Sequence, residues 1–133
     1  ALGSTDPIDR YWATMVCCSF AKQASGLVSE VTKCLEDESD LVRLRATEFL
    51  GLVGERDPVP SLLALANSSQ DAVFVTEVLN SLVYFVDCHE PPYQLDASLL
   101  KPEARGADID RRVPYLKGES TGNRPKKKAS RGR

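Results

Sequence analysis

Apolar residues in this chain recur at three- and four-residue steps in a series of short blocks, and each block is closed by glycine, proline or an acidic run. That spacing places one apolar face on each of several short helices and excludes a sheet, which needs a two-residue alternation that no segment shows. The first block starts at Asp6-Pro7, where the carboxylate can accept from free backbone N–H groups and proline costs nothing at the first helical position. Ile8, Tyr11, Trp12, Met15, Ser19 and Phe20, with Val16 alongside, give it one broad stripe that is expected to face the core. After Gly26, a second stripe of Leu27, Val28, Val31, Cys34 and Leu35 stops at Glu36-Asp37-Glu38.

Ser39 is placed to cap a third helix, with Asp40 in its first turn. Val42, Ala46, Phe49, Leu50 and Val53 form its inner face, and Gly54 closes it with a left-handed residue. Asp57-Pro58 repeats the start signal for a fourth helix carrying Val59, Leu62, Leu63 and Ala66 to Asn67. A fifth runs from Gln70 to Asp87 on Val75, Val78, Leu79, Leu82, Val83 and Val86, widened by Phe74 and Phe85. The expected fold class is all-α, a short solenoid of five helices stacked as antiparallel pairs and right-handed or gently curved, over residues 1–89. Glu90-Pro91-Pro92 ends the helical pattern. Residues 90–118 then read as irregular chain held to the helices by Tyr93, Leu95, Leu99, Leu100, Tyr115 and Leu116; Pro102 and Pro114 limit any helix to a single turn there.

Charge and cysteine narrow the function classes. Residues 1–118 carry 11 Lys and Arg against 18 Asp and Glu, while residues 119–133 carry 6 against 1. An acidic body repels a phosphate backbone, so nucleic-acid binding would rest on Arg124, Lys126, Lys127, Lys128, Arg131 and Arg133, which have no aromatic stacking partners among them. That segment reads as a disordered basic tail. No apolar run is long enough to cross a membrane as a helix, so a soluble segment is expected. Cys17, Cys18, Cys34 and Cys88 contain no CxxC pair, which disfavours zinc, and packing in the core is the expected role of Cys34 and Cys18. A disulfide from Cys34 to Cys17 or Cys18 stays open. The chain begins Ala1-Leu2-Gly3 without an initiator methionine, and is read as the end of a longer protein.

The helical blocks superpose on one another at an offset of 31, which sets Asp40 on Asp71 and Val31 on Leu62 and marks a repeat of helix pairs. Asp40-Leu41-Val42-Arg43-Leu44-Arg45-Ala46, with Phe49-Leu50-Gly51 and Gly54, resembles the HEAT-like repeat of the phycobilisome-lyase type. In that pattern Arg43 reaches Asp40 one turn back, Ala46 admits a neighbouring helix, and Val42 and Leu50 fill the core. A longer resemblance, over residues 5–118, is to the C-terminal region of bacterial sulfatases of the arylsulfatase type. It is carried by Asp9-Arg10-Tyr11-Trp12 leading to Cys17-Cys18-Ser19-Phe20, by Arg43 to Gly54 with Asp57-Pro58, by Leu95-Asp96-Ala97-Ser98, and by Asp110-Arg111-Arg112 running to Tyr115-Leu116-Lys117-Gly118.

The resemblance implies an upstream catalytic domain that hydrolyses sulfate esters with calcium and a formylglycine, and a periplasmic or extracellular location. The family's maturation motif, Cys or Ser, then any residue, Pro, any residue, Arg, has no match here. Cys88-His89-Glu90-Pro91 comes nearest, with proline one place late and no arginine. No catalytic, cofactor-binding or metal-binding residue is therefore assigned, and no cofactor is expected in this segment. The expected role is a noncatalytic module whose partner is an attached or adjacent catalytic domain; the alternative is a free-standing adaptor that binds another protein.

Three local features invite sharper readings. Trp12 could offer a stacking platform, but its place in the first stripe makes it a core residue. Cys88, His89 and Glu90 bring thiol, base and acid together, yet neighbours in a chain rarely converge on one substrate atom. Glu36, Asp37, Glu38 and Asp40 lack calcium-loop spacing and read as a solvated turn. The repeat itself generates a test. Ala46→Leu is expected to destabilise the chain by roughly 1 to 3 kcal/mol through overpacking at a close helix contact. An unchanged denaturation midpoint would mean that no helix lies against Ala46.

Overall fold

The computed structural model describes residues 1–119, and all regular structure among them is helical. Helix α1 spans Pro7–Phe20, α2 Val28–Lys33, α3 Asp40–Leu52, α4 Val59–Ser68, α5 Ala72–Val83 and α6 Ala107–Leu116. Short 3-10 turns at Ala21–Leu27, Cys34–Glu36 and Ala97–Leu99 and a π turn at Tyr84–Cys88 complete the order. The second apolar block is thus a six-residue α-helix flanked on both sides by 3-10 turns. Residues 120–133, nearly all of the expected basic tail, lie outside the described residues.

The starts of α1, α4 and α5 share one device. An aspartate carboxylate accepts the N–H two residues on: Asp6 from Ile8 at 2.9 Å, Asp57 from Val59 at 2.9 Å, and Asp71 from Val73 at 3.0 Å. At α3 the device moves upstream of the expected cap. The Ser39 hydroxyl makes no cap bond, and Asp37 accepts the Ser39 N–H at 2.9 Å. Gly54 closes α3 as expected, at φ 75°, with Gly54 N–H donating to the Gly51 carbonyl (3.2 Å) and Glu55 N–H to the Leu50 carbonyl (3.0 Å). Those two bonds make a Schellman end, which glycine suits because it has no Cβ to clash at positive φ.

Two cores form, and α3 belongs to both. Cys17, Val31 and Cys34 pack with Val42, Ala46, Phe49 and Leu50 in one. Leu44, from the other side of the same helix, packs with Leu62, Leu63, Ala66, Val75, Val78, Leu79, Leu82 and Phe85 in the other. Accordingly α3 touches α1, α2, α4 and α5, and α5 touches α4 and α6. The inner faces expected for α3, α4 and α5 are all buried save Val53 and Val83, which pack on the cores while partly exposed.

Helix α1 departs from expectation. Thr14 and Cys17 are its buried residues, and Tyr11 and Cys18 pack beside them. Trp12, read as a core residue, is 60 % exposed, together with Ile8 (64 %), Val16 (53 %) and Phe20 (57 %). The helix has apolar side chains on two faces, and the smaller, more polar face of Thr14, Cys17 and Cys18 is the one that meets α3. The repeat register also shifts. The N-caps are Asp6, Ser39 and Asp71, so the helix pairs step by 33 and then 32 residues, and Asp71 corresponds to Ser39 instead of Asp40. Thr14 and Thr47 confirm the first step, since each is buried and donates its hydroxyl to the carbonyl four residues back, Arg10 and Arg43.

In the extension Leu99 stays exposed, while Tyr93, Leu95 and Tyr115 pack on the second core. The Tyr93 hydroxyl donates to the Gly51 carbonyl at 2.7 Å, Asn67 clamps the chain through Leu99 O and Lys101 N, and Leu100 and Leu116 are buried. Residues 107–116 form a full helix instead of one turn. Pro114 removes one helical bond near its end, and burial of Ile109 and Leu116 on α5 compensates. Gly51 shows how close the packing is: a Cβ there would meet Pro58 Cγ at 2.7 Å and the Phe85 ring at 3.0 Å. Gly51→Ala is expected to lower stability by about 1 to 3 kcal/mol despite alanine's better helix propensity. A urea midpoint at or above that of the parent would contradict this contact.

Candidate functional site

Arg45 sits where α1, α3 and α5 meet. Its Nη1 donates to both Glu48 carboxylate oxygens (2.7 and 2.9 Å), and its Nη2 donates to Glu77 of α5 at 3.0 Å. The guanidinium lies 5.8 Å from the centre of the Tyr11 ring of α1. Glu48 also accepts from the Ser81 hydroxyl, and Cys18 donates its thiol to the Arg45 carbonyl at 3.3 Å. Burial works against the Arg45 charge, and the Glu48 carboxylate more than restores it, so the pKa of Arg45 is raised and the residue stays a cation. Burial first, then the Glu48 charge, push the Cys18 thiol up to about 12, which keeps it protonated at neutral pH and removes it as a nucleophile. An open groove of about 450 Å³ runs beside this network, lined by Glu48, Glu77, Asn80, Ser81 and Tyr84. The network pairs residues 32 and 33 positions apart, so no local motif announces it.

Within the acidic run, expected to be a solvated turn, Asp37 is the exception. Asp37 receives a bidentate pair from Arg10 of α1, Nε at 2.6 Å and Nη2 at 3.0 Å, and Arg43 donates to the Asp37 carbonyl at 2.6 Å. Arg43 also pairs with Asp40, as the repeat pattern implies. Asp37 thereby ties α1 to the turn before α3, while Glu36 and Glu38 face solvent. Among the described residues no cluster of three or more His, Cys, Asp or Glu could hold a metal ion.

His89 packs among aromatic rings. It stacks on Tyr93 at 5.3 Å, lies 5.5 Å from Phe85, and its Nδ1 is 2.9 Å from the Pro91 carbonyl. The Glu90–Pro91 peptide is cis. All four cysteines are free thiols; Cys17 and Cys34 are buried, and burial raises their pKa as well.

A row of exposed apolar side chains runs along α1. Ile8, Trp12, Val16 and Phe20 follow one another at four-residue steps along the whole helix. In the 33-residue register, Ile8 corresponds to Leu41, which is exposed, while Trp12, Val16 and Phe20 correspond to Arg45 and Phe49 of α3 and to Val53 at its C-cap. Arg45 lies over Tyr11, and Phe49 and Val53 pack in the core that α3 shares with α1, with Phe49 fully buried. The Trp12, Val16 and Phe20 part of the outer face of α1 is therefore equivalent to a helix face that, one repeat later, packs with another helix.

Paired helices stepping by one unit around a shared middle helix define a helical-repeat protein. A family model of HEAT repeats matches residues 1–82, more than half of the chain, and the chain belongs to the HEAT repeat family. No curated protein and no solved structure matches it.

The Arg10–Asp37 pair gives a pH signature. The Arg10 hydrogen bonds hold the Asp37 carboxyl below the usual carboxylate range. A depressed folded pKa adds stability that is whole above the unfolded value, about 3.9, and is lost as the pH falls through the folded one. Asp37→Asn is expected to cost about 1 to 3 kcal/mol near neutral pH, with the gap from the parent narrowing below about pH 4. A gap that is the same at low and neutral pH would show that the ion pair adds nothing.

Proposed function

We propose that this HEAT-repeat chain is a noncatalytic protein-interaction module, and that it serves a sulfate-ester hydrolase of the arylsulfatase type whose catalytic domain precedes it. The observation that carries the interaction role is the row of Ile8, Trp12, Val16 and Phe20, four large apolar side chains that no part of the described chain covers. Contiguous exposed apolar surface of this kind marks a binding face. The groups that could suggest chemistry have structural partners instead: Cys18 bonds Arg45, His89 stacks on Tyr93, and Arg45 is held by two carboxylates.

The hydrolase half rests on the four sequence blocks, and through it calcium and formylglycine would belong to the upstream domain. Several of their residues make contacts that fold this module: Arg10 pairs with Asp37, Tyr11 packs under Arg45, and Gly51 accepts from Tyr93. A second reading, a free-standing adaptor, is favoured by the groove beside Arg45. Its two carboxylates and the Tyr84 ring suit a basic side chain of a bound peptide.

The coding sequence upstream separates the two readings. An open frame carrying Cys or Ser, any residue, Pro, any residue, Arg supports the hydrolase; a start codon immediately before Ala1 removes it and leaves the adaptor. Purified 1–133 is expected to release no sulfate from an aryl sulfate ester. Turnover above a heat-killed control would overturn the noncatalytic role.

A further inference from the structure

We propose that the outer face of α1 joins two copies of this chain, with the two α1 helices antiparallel across a twofold axis. The proposal rests on reading the α1 row as an interaction surface and names its occupant. Rows at four-residue spacing are one of the ridges by which helices interdigitate, and three of the four corresponding positions, Arg45, Phe49 and Val53, lie on the side that packs with α1. Trp12 is held for the role from within its own chain. Its ring meets Tyr11 edge-on at 5.4 Å, and Tyr11 in turn lies under Arg45.

The row is self-complementary. Ile8 and Phe20 lie at equal distances from the midpoint between Trp12 and Val16. Antiparallel pairing therefore sets Ile8 against Phe20 of the second copy and Trp12 against Val16, filling space between one large and one smaller side chain in each pair. A twofold contact needs this property, because the same patch must serve both sides. Charge agrees. Asp6 and Asp9 stand exposed at the N-terminal end of α1, and Lys22 stands exposed just past its C-terminal end, so antiparallel packing brings opposite charges together at both rims. The helix dipoles are antiparallel too. Parallel packing would instead set like charges side by side.

The test is sedimentation equilibrium of the full 133-residue chain from about 1 µM to about 1 mM, the range in which a contact of one helix face should associate. The parent is expected to dimerise within it. Val16→Glu, at an exposed position, is expected to weaken the dimer at least about ten-fold while leaving helical circular dichroism unchanged, because a carboxylate would be buried unpaired at the axis. Lys22→Asp is expected to weaken it roughly two- to five-fold, Asp9→Lys likewise, and the double exchange to recover most of the loss. A monomer at every concentration would overturn the proposal and leave the face to a helix of another domain or protein. A dimer indifferent to Val16→Glu would overturn it, and one indifferent to the charge exchange would overturn the antiparallel arrangement. None of these failures bears on the noncatalytic role, which the sulfate-release assay tests separately.

Discussion

The structure depends on α3 being shared. Short helices with one apolar face are marginal alone, and each pair here gains its stability from its neighbour. Val42, Ala46, Phe49 and Leu50 close the core under α1 and α2, and Leu44 enters the core built by α4 and α5. A helix buried on both sides leaves no room at its close contacts, which is why Gly51 faces Pro58 and the Phe85 ring and why its carbonyl receives the Tyr93 hydroxyl.

Around that helix the polar residues do structural work that accounts for the acidic body. Asp6, Asp37, Asp57, Asp71 and Asp96 each accept a backbone N–H two residues on, supplying partners that a first turn lacks. Asp37 also receives Arg10 from α1, and Glu77 of α5 receives Arg45 from α3. Much of the negative charge is thus spent on helix starts and helix junctions. Among the described residues, exposed apolar side chains line α1 and a mixed groove lies beside Arg45.

Most of the architecture was legible in the sequence, and the exceptions have physical causes. For α3, α4 and α5 the apolar spacing identified the buried faces, because each helix has neighbours that cover its apolar residues. For α1 the same reasoning chose the wrong side. Among the described residues α1 packs with α3 along one side, its second apolar face has no neighbour, and spacing alone cannot say which face that is. The terminal helix α6 was missed because Pro114 argues against it locally, while burial of Ile109 and Leu116 acts from a distance. The Arg45 network has no local signal, since Glu77 and Ser81 reach it only once α3 and α5 are side by side. The HEAT pattern at Asp40 to Gly54 was readable because each position has a local role: Arg43 with Asp40, Gly54 at the Schellman end.

A repeat stack organised around one doubly buried helix makes a specific demand on local stability, and native-state hydrogen exchange measures it residue by residue. The α3 amides from Leu44 to Leu50 are expected to exchange only through global unfolding, with α1 and α2 opening at lower free energy because they have a neighbour on one side only. Amides of α3 that open more readily than those of α1 or α5 would contradict the account, because the two cores would then not share the helix that joins them.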